Sequence, residues 1–245
     1  MADAVMNNRR LRILRRIAEN GDVSPDSLCN VCMDVTAMSG VGIMLMAGDV
    51  PSGSPSTTNP VSALIEELQF MLGEGPCIDA YNLELPIAEP DLARPIGRWT
   101  GFTPPVFEAG VKAIFAFPLQ VGALCMGSLD LYRDHSGALS DDENADALVM
   151  ADVIARAVKT MQADALPGEL ATELEPMARL RDVVHQAVGM VSAQMGVGVD
   201  EALIRLRSYA FAHDRQLIEL TRDVVARRVR FSPAGGATGD TLSRS

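Results

Sequence analysis

The residues of this chain best suited to contact chemistry lie near its C-terminus, where Arg205, Arg207, Tyr209 and Arg215 fall within eleven positions. Guanidinium groups bind phosphates as planar forks, and an aromatic ring can carry an unstacked base, so this set points to nucleic-acid contact. On a helix Arg205 and Tyr209 are neighbours four residues apart, whereas Arg207 is turned away from Arg205. The plain alternative is that these arginines only solvate a helix surface. Arg222, Arg227, Arg228 and Arg230 crowd the end of the next helical segment, where cations also offset the helix dipole.

Catalytic chemistry has little to work with. Cys29 and Cys32 form a Cys-x-x-Cys with no second pair to complete a metal site, and at helical spacing they read as core thiols. Cys77 follows Gly75-Pro76, a turn that explains a small residue there, and Cys125 falls in a strand where burial is the expected role. His135, His185 and His213 are scattered, without a hydrolase arrangement around them. Phosphate-binding loops and dinucleotide fingerprints are missing as well. The expectation is a protein that is not an enzyme and carries neither metal nor cofactor.

Elements that could position the arginines follow from composition and periodicity. The chain has 245 residues, 48% of them hydrophobic, and a net charge of -11, which opposes indiscriminate binding to nucleic acid or anionic lipid. Residues 179–231 depart from that average, with nine arginines against six acidic residues. No apolar run approaches the roughly 20 residues of a membrane span, and the arginine-rich start leads into no secretory core, so a cytoplasmic protein is expected. Four cysteines argue against a disulfide framework.

A helix over 7–18 and a second one opened by Ser24 and Pro25 are expected first, followed by a buried strand over 42–46. The Pro/Ser/Gly/Thr-rich stretch 51–60 reads as a surface loop. Val61, Leu64, Ile65, Leu68 and Leu72 mark the inward face of a helix ended by Gly73, and Gly73 to Cys77 then forces a turn. A short strand over 85–88, a partly helical cover over 99–108 and a hairpin over 111–132 turning at Gly122 come next. Ser140 with Glu143 forms a capping box for a long helix reaching about residue 162. Beyond Pro176 the pattern is helical only: a stripe from Leu180 to Met195, a second helix capped by Asp200, and a third capped by Asp214.

Two segments carry family resemblances. Gly73-Glu74-Gly75-Pro76-Cys77-Ile78-Asp79-Ala80, with Pro86, Asp91-Leu92, Arg98-Trp99, Gly110-Val111, Phe117-Pro118-Leu119 and Gly127-Ser128-Leu129, resembles the GAF domains of actinobacterial regulators. Gln186-Ala187-Val188-Gly189-Met190, Glu201-Ala202 and Leu206-Arg207 resemble the ANTAR domain, whose members bind tandem RNA stem-loops and thereby block transcription termination. ANTAR domains usually carry a lysine where this chain has Val188, which bears on the strength of RNA binding and not on the fold.

The resemblances imply an α+β GAF-type domain, an antiparallel sheet flanked by helices, over 1–165. A linker over 166–177, a small all-α three-helix ANTAR bundle over 178–232 and a disordered tail over 233–245 would follow. The expected function is signal-responsive transcription antitermination, with Arg181, Gln186, Gly189, Arg205, Arg207, Tyr209 and Arg215 on RNA. The GAF part would take a small-molecule ligand or a sensor protein, and the chain would act as a homodimer away from any membrane. Two other readings stand beside this one: a degenerate ANTAR bundle serving dimerisation or protein contact, and a GAF-based thiol or haem sensor.

Overall fold

A computed structural model of the chain describes residues 2–47, 50–94, 97–164, 175–213, 215–232 and 237–239. It divides into two compact units, Met1–Met177 and Ala178–Ser245.

The first unit begins with α1 (Ala2–Asn20) and α2 (Pro25–Thr36). Ser24 caps α2 by accepting from the Ser27 N–H, and Pro25 occupies the first helical position, where its missing N–H costs nothing. Strands β1 (Gly40–Ala47) and β2 (Val50–Thr57) follow, then α3 (Pro60–Leu72), α4 (Pro76–Leu83), β3 (Ile87–Glu89) and α5 (Thr103–Glu108). The β4 (Ala113–Val121) and β5 (Leu124–Arg133) hairpin turns at Gly122, whose φ of 66° suits glycine, and leads to α6 (Asp141–Asp164). The expected capping box opens α6: Ser140 N–H donates to Glu143 Oε2 at 2.7 Å, and Glu143 N–H donates to Ser140 Oγ at 3.3 Å.

All five strands pair antiparallel in the order β2-β1-β5-β4-β3. Side chains alternate across this sheet with the two-residue period of a strand. Phe115, Phe117, Leu129 and Leu131 point to one face, where Ile13 and Ile17 of α1, Leu28 and Val31 of α2, and Met150 and Ile154 of α6 cover them. Ile114, Ala116 and Tyr132 point to the other, under Ile65 and Leu68 of α3, Ala80 of α4, and Trp99, Phe102 and Val106 around α5.

Three expectations in this unit are corrected. Residues 51–57 of the stretch read as a loop over 51–60 belong to the edge strand β2, paired only with β1, and an edge accepts Pro51 and Pro55 because half of its N–H groups need no ladder partner. The turn at Gly75 starts the helix α4. The inward face of α3 is wider than its apolar spacing: Val61, Leu64 and Leu72 are half-buried against the same core as Ile65 and Leu68, and the polar Ser62, Glu66 and Gln69 are buried beside them.

The second unit contains α7 (Glu175–Met195), α8 (Val199–Ala212) and α9 (Leu217–Val225), with α7 and α8 bent by 103° at the break between them. Val184, Ala187, Val191, Leu206, Ala210, Leu220 and Val224 are buried. The all-α expectation is corrected by a two-stranded ribbon, β6 (Val229–Phe231) with β7 (Ala237–Gly239), which places part of the expected disordered tail in a strand. The ribbon is tied to α7 by Gln194, whose Oε1 accepts from the Phe231 N–H at 2.8 Å. Gly198 and not Asp200 stands at the cap of α8, so Asp200 complements the helix dipole from the first turn. Gln216 stands at the cap of α9; Asp214 lies outside the described residues, as do 165–174, most of the expected linker. The last three linker positions, 175–177, are helical. No single helix among the described residues is long and apolar enough to cross a membrane.

Candidate functional site

The first unit's sheet carries charge on one face, under α3 and α4. Asp130 of β5 is buried there and accepts from Gln69 Nε2 at 2.7 Å and from Ser128 Oγ at 2.8 Å. Opposite Asp130 in the β1–β5 register stands Gly42, and the Glu66 carboxyl lies over it. A Cβ on Gly42 would sit 2.2 Å from Glu66 Oε1, so the strand must present glycine for Glu66 to pack inward.

Neither oxygen of Glu66 meets an N–H or O–H donor among the described residues, and the group within hydrogen-bonding reach is the Asp130 carboxyl. Burial pushes the Glu66 carboxyl well above its ordinary range, and the adjacent Asp130 charge adds to this. Burial also raises Asp130, to about 6, against the opposing pull of its donors. Two ionised carboxylates side by side in an apolar setting would be untenable, so the pair holds a proton. It resides on Glu66, because Asp130 already receives the other donors.

Gln69 links this pair to the next helix. Its Oε1 accepts from the Cys77 N–H at 2.8 Å at the start of α4, where Gly75 supplies no side-chain cap. Gly75 has a φ of 136°, and a Cβ there would lie 2.6 Å from Gln69 Oε1, so glycine is required twice over. Asp79 of α4 accepts from Trp99 Nε1 at 3.0 Å and lies 3.6 Å from Arg98, whose guanidinium stacks 4.1 Å above the Trp99 ring. Trp99 sits at a φ of 55°, a left-handed conformation costly for a bulky residue, which these contacts hold in place. Glu74 Oε1 accepts from Gly101 and Phe102 N–H at 2.6 and 3.0 Å. The Gly73–Asp79 segment thus serves as a clamp between α3, α4 and the Trp99 loop.

Sequence reasoning missed Glu66, Gln69, Ser128 and Asp130 as a group. A carboxylate and an amide three residues apart on the inner side of α3 were the available signal.

The cysteines are placed largely as expected. Cys29, Cys32 and Cys77 are buried, and burial pushes their thiols upward, Cys29 to about 12. Cys125 departs from the expectation of burial, being only half-buried near the end of the hairpin.

In the second unit the residues expected on RNA differ in exposure and in the partners they hold. Gln186 and Gly189 are exposed on α7, and the space beside Gly189 is open. Val188 is buried at 7% exposure. Arg205 is exposed and pairs with Glu201 at 3.1 Å. Arg207 is half-buried, its Nε lacks an acceptor among the described residues, and burial lowers its pKa to about 10. Tyr209 stacks on His213 with centroids 3.9 Å apart and meets Phe231 edge-on at 5.4 Å, so its ring is engaged internally. Arg215 pairs with Asp223 at 2.5 Å, which also holds Arg228 at 2.6 Å. The side chain of Arg181 lies outside the described residues. Arg222, Arg227 and Arg230 are exposed with no carboxylate partner among the described residues, and Phe211 is 51% exposed on α8.

Known structures resemble this chain at the level of fold. The GAF domain from Acinetobacter phosphoenolpyruvate-protein phosphotransferase is similar with a TM-score of 0.51 and 15% identity, over 66% of this chain and 97% of that one. Weaker likenesses are the GAF domain of a phosphoenolpyruvate-protein phosphotransferase from Coxiella burnetii (TM-score 0.46, 15% identity, 63% and 95% covered) and a GAF domain/HD domain protein from Geobacter sulfurreducens (0.44, 13%, 57% and 92%). No protein-family profile matches the chain, and no curated protein does. With its five-stranded antiparallel sheet between two layers of helices, the first unit has a GAF-like α+β fold.

Proposed function

We propose that this chain is a non-catalytic cytoplasmic regulator in which the GAF-like unit receives a signal and the arginine-rich second unit, of ANTAR type, binds folded RNA as a homodimer to control transcription termination. The observation that carries the RNA reading is the exposed set Arg222, Arg227 and Arg230, without carboxylate partners among the described residues, in a unit where Arg205, Arg215 and Arg228 are already neutralised. Such guanidinium groups are available to phosphates, and the exposed ring of Phe211 offers a stacking platform that Tyr209, held by His213, does not.

The test is an anisotropy titration of the full chain with a two-hairpin RNA across a salt series. Binding should weaken steeply with salt as counterions are recaptured. Replacing all three arginines with glutamine should lower the salt slope by about one for each phosphate no longer held. Absence of binding below about 10 µM, within the range of non-specific association, overturns the reading.

A protein-contact role for the second unit is the alternative that an observation favours, because Ile204 and Phe211, seven residues apart on α8, are 59% and 51% exposed. Association that ignores salt would identify it. A thiol sensor draws no support from the geometry, since Cys29, Cys32 and Cys77 are buried with thiols held protonated.

A further inference from the structure

We propose that Glu66 and Asp130 form one proton-binding site, a buried carboxyl–carboxylate pair whose proton keeps α3 and α4 seated on the sheet, so that the first unit responds to proton activity. This rests on the reading of that unit as the input for its biological meaning, while the proton linkage stands on the geometry alone.

Glu66 is 3% and Asp130 1% exposed, on facing elements. Gly42 clears the space Glu66 fills, and both Glu66 oxygens lack any donor among the described residues, so the carboxyl is satisfied by giving its own proton to Asp130. The groups facing the pair add no positive charge. Gln69 lies on α3, Ser128 on β5 and Cys77 on α4, and Cys29 of α2 senses the Glu66 charge across the sheet. Arg98, the cation close to α4, is engaged with Asp79 and Glu89. When the Glu66 O–H bond breaks and its proton passes to water, two negative charges remain in contact with no counter-ion among the described residues.

The relief available is outward movement of Glu66, and α3 carries Gln69 with it. Gln69 bonds both Asp130 and the first turn of α4, so the disturbance is passed to α4 and through Asp79 to Trp99. Deprotonation therefore loosens one specific layer of the unit.

The sign follows from proton counting. Both carboxyls hold protons more tightly in the folded unit than in the unfolded chain, so their contribution is fully present below the unfolded carboxylate range and is lost as pH rises through the folded values. The test is unfolding of the full chain, followed by fluorescence of its single tryptophan, Trp99, for wild type and Glu66→Gln between about pH 5 and pH 8. The substituted amide would keep a donor toward Asp130 without a titrating proton. The ratio of the two unfolding constants should change by up to about tenfold per pH unit over part of that range, one proton being linked.

Parallel pH responses of the two proteins overturn the proposal. Infrared difference spectroscopy of the wild type gives a second reading that needs no folded variant: a protonated buried carboxyl stretch at about pH 6, disappearing on raising pH, is expected, and its absence refutes the pair. Neither measurement involves RNA, so failure here leaves the RNA titration standing, and failure there leaves the proton linkage standing.

Discussion

On one face of the sheet Phe115, Phe117, Leu129 and Leu131 meet α1, α2 and α6 through apolar side chains, while one position along β5 Ser128 and Asp130 meet Gln69 and Glu66 of α3. Both layers are buried and share the same backbone. The apolar layer holds no group that changes charge near neutrality, because burial pushes its thiols, Cys29 and Cys32, upward. The polar layer stays closed only while its donors and acceptors match in number, and that number changes with one proton. Stability and responsiveness are thus assigned to opposite sides of the same strands.

The sharpest way to break this contrast is through the apolar layer. Phe115→Ala removes a ring from a fully buried position and should cost roughly 3 to 5 kcal/mol in urea unfolding. It should leave the pH difference between wild type and Glu66→Gln unchanged, and a change would mean that the two faces are not separable. Gln69→Leu comes next. It fills the same space but leaves the Cys77 N–H without an acceptor and Asp130 short of a donor, and should cost roughly 2 to 4 kcal/mol, with Trp99 fluorescence altered before global unfolding.

The smallest effect concerns Glu143 at the rim of the apolar face, where hydrogen bonding from Arg133 and Ser140 lowers its carboxyl to about 2. A lowered carboxyl contributes stability that is present above its unfolded value and lost as pH falls toward 2, opposite in sign to Glu66. Glu143→Gln should therefore cost about 1 kcal/mol near neutrality after solvent screening, and the two unfolding curves should converge in acid.

What the sequence revealed was whatever depends on neighbours along the chain. Ser24-Pro25 and Ser140 with Glu143 announce helix starts because a cap and its N–H are within three residues. The hairpin around Gly122 was legible for the same reason. β2 was not, because Pro51, Ser52, Gly53 and Pro55 read as loop, and only its place at the sheet edge makes them acceptable in a strand. Glu66 and Asp130 were hidden more deeply. Their partnership joins residues far apart in the chain, and a glutamate on a helix reads as solvent-facing until Gly42 is known to stand opposite. In the second unit the arginines were visible, and Glu201 four residues before Arg205 was a readable partner, but the neutralisation of Arg215 and Arg228 depended on where Asp223 falls in space.

The capping of α4 by a side chain from α3 has a consequence for the order of assembly. A helix of eight residues whose first turn borrows its acceptor from elsewhere cannot persist alone, so α4 should be the last part of this layer to form and the first to open. Amide hydrogens of residues 79–83 should then exchange with solvent faster than those of α3, through a sub-global opening that leaves the remaining strands protected.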